Sequence, residues 1–227
     1  MLTKVEGSLN FEGAYTLRMS TVRPLRRDAA RNRERLVLAA REVFRRRGLE
    51  APLEEIAREA GVSIGTLYNR FPGRGELIDA ALEPLARRAV EHAEEASREE
   101  DPWQALESLI TGTCELFAAD RGYSEVYRSR VPGAPVLGAA RQRLTEIKET
   151  IMARAMSAGV LRADIESTDV VLLIWGTAAV MDATRDAAPD AWRRHLALQL
   201  DGLRPQAARP IATPPLTMAR LLNATPR

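Results

Sequence analysis

The chain has 227 residues, 45% of them hydrophobic and 28% charged, with a formal net charge of +2. That length suits one large domain or two small ones, and the composition is that of a globular protein, not a disordered or fibrous one. A single cysteine, Cys114, excludes an intrachain disulfide and fits a reducing compartment.

The N-terminus lacks the basic start and apolar block of a secretory signal. The longest apolar run, Val170 to Met181, is twelve residues, whereas a membrane span needs about 18 or more. A cytoplasmic protein without a membrane partner is the expectation. Charge is unevenly spread. Residues 20–74 carry 13 Arg, no Lys and 7 acidic groups, while residues 75–227 carry 18 basic against 22 acidic groups. Positive charge gathered in one small region suits a polyanionic partner, or simply makes a solvated Arg-rich helix.

Residues 1–25 have no sustained periodicity and read as a flexible arm. Met19 resembles a natural start, which would make 1–18 an upstream extension. From Arg27, apolar residues at Leu36, Ala39, Ala40, Val43 and Phe44 mark one stripe of a helix ended by Gly48. Leu53, Ile56, Ala57 and Ala60 mark a short second helix, with Pro52 suited to its first position and Glu54 and Glu55 favoured by its dipole. Gly61 can stop that helix in a left-handed conformation, and Ser63 can cap a third whose inward residues are Leu67 and Phe71. Pro72-Gly73 ends it.

A long helix is predicted from Arg74 toward Ala96, with Pro84 inside it as a flexure or a fixed bend. Further helices are predicted at about 102–120, 122–130, 137–158, 167–185 and 189–204, separated by Gly, Pro and Asp. No stretch alternates with period two. Beyond Leu203 the chain is Pro-rich, and 205–227 reads as a flexible tail in which 216–222 can form one helical turn. The expected fold is all-α with about nine helices. Its divisions are a three-helix head over 26–73 (helix-turn-helix 52–71) and a larger helical domain over 74–204.

Within the stretch GVSIGTLYNRF, residues 61–65 match G-x-S-x-G, the turn that exposes a nucleophilic serine in α/β-hydrolases. That elbow needs a buried strand before Ser63. The preceding LEEIAREA is charged at four of eight positions with helical spacing, which a central strand does not tolerate. A helix-turn-helix accommodates every residue. Its second helix would present Ser63, Thr66, Tyr68, Asn69 and Arg70 outward, groups suited to phosphate oxygens and base edges. Gly65, lacking Cβ, permits close approach to a backbone. Tyr68 alternatively packs half-buried. No catalytic His–carboxylate pairing, metal-ligand cluster or phosphate-binding glycine loop is present, so no enzyme, metal or cofactor is expected.

The sequence resembles the TetR family of transcriptional regulators. The resemblance runs through Ala39-Ala40-Arg41-Glu42-Val43-Phe44, Leu53-Glu54-Glu55-Ile56-Ala57, Ala60-Gly61-Val62-Ser63, Gly65-Thr66-Leu67-Tyr68, Phe71-Pro72 and Glu76-Leu77. It departs at Pro52, where the family often has Ser or Thr, and at Gly73-Arg74, where the family usually has Ser-Lys. More loosely, Trp192-Arg193-Arg194-His195-Leu196 through Leu203-Arg204 resembles the last helix of such regulators.

The resemblance implies a homodimer paired through the last two long helices, about 167–204, on a palindromic double-stranded operator. The Val170–Met181 run suits that interface or the core of a monomer. Also implied are base reading by Arg70 and Asn69, phosphate contacts from Thr66, Tyr68 and Arg74, and Arg23, Arg26, Arg27 and Arg31 as minor-groove or merely solvated arginines. A small-molecule effector would occupy the larger domain. Phe117, Tyr123, Tyr127, Met152, Met156 and Trp175 are candidates for its cavity or for ordinary core, with Arg128 as a polar contact, and an apolar or aromatic ligand is implied. Repression relieved by that effector is the expectation. A hydrolase using Ser63 and a helical module binding only protein are the rivals.

Overall fold

The computed structural model describes residues 22–224; the side chains of 22–29, 207 and 222–224 fall outside the description. The arm expected over 1–25 therefore lies mostly outside the described residues, as do the side chains of Arg23, Arg26 and Arg27. Among the described residues the chain is all-helical. In order come α1 Val22–Arg47, α2 Leu53–Glu59, α3 Ile64–Arg70, α4 Arg74–Ser97, α5 Pro102–Ala119 and α6 Arg121–Arg128. Then follow α7 Pro135–Ser157, α8 Ser167–Thr184, α9 Ala191–Gly202, a 3-10 turn Pro205–Ala207 and α10 Met218–Ala224.

The long α1 and the short α2 and α3 close around Leu36, Ala40, Val43, Phe44, Ile56, Leu67 and Phe71, all buried. Arg46 and Arg47 at the C-terminal end of α1 form ion pairs with Glu59 and Glu55 of α2, at 2.5 and 2.6 Å, across the head. Pro52 stands one position outside α2, as its N-cap, with no side-chain bond to the helix. Proline lacks an oxygen with which to cap. Glu54 and Glu55 in the first turn supply the negative charge that the exposed N–H groups attract.

In the larger domain α4 packs along both α5 and α7. Asp79 of α4 is buried and accepts from the N–H groups of Val136 and Leu137, at 3.2 and 2.9 Å, capping α7 from a neighbouring helix. Asp101 and Asp120 cap α5 and α6 locally, and Glu166 with Asp169 forms a capping box on α8. The Asp signals at the predicted starts of α5, α6 and α8 thus correspond to bonds that cap the backbone, whereas Asp190 stands at the start of α9 without one.

α10 overlaps the helical turn offered by 216–222, but the tail that carries it departs from the expectation. The described part of the tail returns to the body instead of trailing away. Arg162 donates to the carbonyl of Arg209 at 2.6 Å, Thr168 donates to that of Leu216 at 2.7 Å, and Leu221 of α10 is buried. Proline content removes N–H donors but leaves carbonyls, and two of these dock the segment.

Candidate nucleic-acid interface and adjoining cavity

The turn before α3 is closed by two backbone bonds. Val62 N–H donates to Ala57 O and Gly61 N–H to Arg58 O, both at 3.0 Å, which is the Schellman arrangement. It requires a left-handed residue between helices, and Gly61 has φ +63°. A side chain there would pay roughly 1–2 kcal/mol in steric strain. Arg35 donates to the Gly61 carbonyl at 3.2 Å, pinning α1 to the turn.

Ser63 then caps α3, its Oγ accepting from Thr66 N–H at 3.2 Å and lying 2.9 Å from Thr66 Oγ1. This hydroxyl is a helix cap preceded by helix α2, not a nucleophile presented by a strand. Leu67 and Phe71, one turn apart, are buried in the head core and fix the rotation of α3. Gly65, Asn69 and Arg70 are consequently exposed, and Tyr68 is 49% exposed. A Cβ placed on Gly65 would meet only Ser63 Oγ, at 3.9 Å, so that face of α3 is open.

Charge sharpens around the same rod. Arg45, Arg46 and Arg47 are neutralised by Glu42, Glu55 and Glu59. Arg31, Arg33, Arg35, Arg58 and Arg70 have no acidic partner within ion-pair distance among the described residues. Arg33 stacks over the Phe71 ring, 5.2 Å from its centroid, at the end of α3, while Arg35 holds the turn at its start. Unpaired guanidinium groups thus flank both ends of a short polar helix, which is the electrostatic footprint of a duplex-binding surface. Arg74 is placed differently. Its Nη1 donates to the carbonyls of Leu49 and Ala51, at 2.6 and 2.9 Å, and it lines a cleft between head and body.

Model matching assigns residues 36–81 to the bacterial regulatory proteins of the tetR family and 101–205 to the SbtR-like transcriptional regulator C-terminal domain. A TetR transcriptional regulator of Streptomyces coelicolor is 36% identical, with a TM-score of 0.52 over 77% of this chain and 99% of that one. The chain belongs to the TetR family of transcriptional regulators.

It is therefore a DNA-binding regulator, and the hydrolase reading of Ser63 falls with that membership and with the helix that precedes it. Among curated TetR relatives, the transcriptional repressor BepR of Brucella suis is 31% identical over 142 residues, 58% of this chain and 66% of that protein. For five such relatives the matched span is between 26% and 66% of the relative's own length. The regulator FadR of Bacillus subtilis, at 16% identity and a TM-score of 0.60 over 78% of this chain and 99% of that one, shares the fold.

Behind the TetR head, α4, α5, α6, α7, α8 and α10 enclose a cavity of about 80 Å³. Tyr123, Tyr127 and Trp175 line it. Phe117 lies behind that wall, edge-on to both tyrosines with ring centroids 6.1 and 5.0 Å away. Met152 is buried core and Met156 packs against the core; neither is in the cavity lining. Arg128 lines the cleft between head and body and pairs with Asp182 at 3.0 Å.

Sequence reasoning missed Arg141 and Lys148 in the lining. Their signal was available. Arg141, Leu144, Lys148, Met152 and Ala155 fall on one face of α7, so both cations interrupt an otherwise apolar stripe. Burial lowers the affinity of both for a proton: Lys148 lies below the usual lysine range and Arg141 below the usual arginine range, each chiefly through desolvation.

Proposed function

We propose that this chain is a homodimeric repressor. Each subunit lays α3 in the major groove of a palindromic operator, and an effector in the α4–α8 cavity releases it. The observation that carries the DNA contact is the exposed polar face of α3, held outward by Leu67 and Phe71 and flanked by unpaired arginines. Arg70 and Asn69 are assigned to base edges, and Ser63, Gly65, Thr66 and Tyr68 to the approach along phosphates. Arg74, with Nη1 already committed to Leu49 and Ala51, is assigned to bracing the α1–α2 loop, close enough to the head to add a phosphate contact.

Pairing of α8 and α9 with their copies supplies the two-fold axis. Leu172 and Leu198 support this, being 40% and 62% exposed on those helices beside small exposed residues such as Gly176, Ala179 and Ala197. Large apolar side chains exposed on adjacent helices mark a surface that a partner covers. A regulator of this kind works in the cytoplasm, and no described helix is long and apolar enough to cross a membrane.

Release is assigned to α6. Its Tyr123 and Tyr127 line the cavity, while Glu125 accepts from Leu49 N–H at 2.6 Å and from Arg121 Nε at 2.8 Å. Gly122 lets α6 lie against α1 so closely that a Cβ would come within 2.9 Å of Phe44 Cβ. A ligand that displaces α6 therefore displaces the end of α1 and the head with it. Regulation requires only that the ligand favour one head spacing by about 1–3 kcal/mol.

Titration with fluorescent duplex at two salt concentrations tests the reading. Binding whose affinity falls linearly on a log–log plot against salt is the expected result. No binding at low salt would favour a module that contacts protein alone.

A further inference from the structure

The cavity behind the head contains a one-sided set of polar groups. Lys148, only 5% exposed, makes one long hydrogen bond, from Nζ to Ser167 O at 3.3 Å. An ammonium has three donors, so its needs are poorly met inside the protein. Arg141, two turns away on the same face of α7 at roughly 10 Å along the axis, spends Nη2 on the carbonyls of Val126 and Ser129. The buried indole Nε1 of Trp175 has no hydrogen-bond partner, and neither do the hydroxyls of Tyr123 and Tyr127 among the described residues.

Those hydroxyls stay protonated, since burial pushes Tyr127 up to about 12 and Tyr123 further in the same direction. Among the described residues, no Asp or Glu lines the cavity. Two cations and two tyrosine hydroxyls thus line a space whose other polar side chains, Thr113 and Thr145, bond to carbonyls of their own helices, and whose remaining wall is apolar, including Leu109, Ile174 and Leu221. A buried charge without a counterion costs stability and is retained where something else uses it.

We infer that the cavity binds a small organic anion, an aromatic ring bearing one carboxylate, whose negative group is held by Lys148 and Arg141. This deepens the reading of the cavity as the effector site and rests on it. The carboxylate supplies acceptors to the donors that Lys148 and Arg141 have left over and to the two tyrosine hydroxyls, and the ring fills the apolar wall. A neutral molecule of the same shape leaves the buried ammonium unpaired, which is the stronger source of discrimination. The volume of about 80 Å³ limits the occupant to about the size of a single ring, since each water in such a space needs roughly 10–15 Å³. Because α10 forms part of the wall, the ligand binds the full chain.

The test is calorimetric titration of the full-length protein with benzoate, phenylacetate and 3-phenylpropanoate, each against its primary amide. At least one acid should bind about tenfold or more tightly than its amide, a margin of one factor of ten in Kd. Lys148→Met should abolish that preference while raising the melting temperature of the ligand-free protein. Equal binding of every acid and its amide, or no binding of any acid at millimolar concentration to folded wild-type protein, would overturn the inference. The acid–amide comparison on wild type stands whether or not the variant folds. Duplex binding is measured on the same preparation. DNA affinity without anion preference sinks this inference alone, whereas anion binding without DNA affinity sinks the regulator reading instead.

Discussion

At the scale of single residues, the proposed interface depends on a division of labour along the nine residues from Ser63 to Phe71, α3 with its two caps. Leu67 and Phe71 anchor, Ser63 caps, and Asn69 and Arg70 are left exposed, where the proposed reading places the duplex. Arg70→Ala should lose about 1–3 kcal/mol on the operator and relax preference at one base pair, measured by titrating a set of single-base operator variants. Arg74→Ala should weaken all sequences alike, through a loosened α1–α2 loop. Equal, sequence-independent losses from both would remove Arg70 from base reading.

Lys148 gives a second prediction with a defined sign. Its folded pKa lies below the unfolded value of about 10.4, so the unfolded chain binds the proton more tightly. Stability from this site is lowest below the folded pKa and rises as pH increases from there toward the unfolded value. Among the described residues, the titratable groups facing Lys148 across the cavity are Tyr123 and Tyr127, Arg141 lines it from the same face of α7, none is a carboxylate, and Glu149 is its neighbour on α7. The stability advantage of Lys148→Met over wild type should therefore shrink as pH approaches 10.4, followed by thermal melts. An advantage that grew with pH would contradict the assignment.

The polar face of α3 was legible because two anchors one turn apart fix which way a short helix is rotated. Cavity residues were less legible, because a wall made from six helices depends on registers that no local pattern encodes. Phe117 and Met152 have the same chemistry as wall residues and differ only in facing the core.

At the scale of elements, α6 is the piece on which both halves lean. It is eight residues long, capped by Asp120 and tied to the end of α1 through Glu125. Glu125→Ala should destabilise the protein by about 1–3 kcal/mol, because Leu49 N–H loses its acceptor. It should also reduce the loss of DNA affinity caused by a bound effector, measured as the ratio of operator Kd values with and without ligand. An unchanged ratio would move the coupling to another helix.

Helix ends were readable wherever a residue with a local physical role stood at the boundary. Asp101, Asp120, Gly61 and Pro135 each mark an end within a residue or two of its position. Two features escaped this logic for tertiary reasons. The cap on α7 comes from Asp79, 57 residues away, and the tail is docked by Arg162 and Thr168 through carbonyls, which every residue possesses. A proline-rich composition speaks to lost donors and says nothing about acceptors.

At the scale of the whole molecule, the proposed repressor needs two heads at a fixed separation, which one subunit cannot supply. The all-helical class and the head were readable from periodicity and from the GVSIGTLYNRF stretch. The Val170–Met181 run pointed to burial on several faces, and α8 within one subunit leaves Leu172 and Gly176 uncovered. Leu198→Glu, placing a charge on the exposed face of α9, should shift the protein to monomer in sedimentation and reduce operator affinity together. A dimer that survives this change would place the two-fold axis elsewhere.

Selection of bound duplexes from a random pool tests the central claim most directly. The expected product is a two-fold symmetric site with half-sites about 34–36 Å apart or a multiple of that, whose symmetry and base preference both fade when Arg70→Ala protein is used. Enrichment of no common sequence, or of an asymmetric site unaffected by Arg70→Ala, would contradict it.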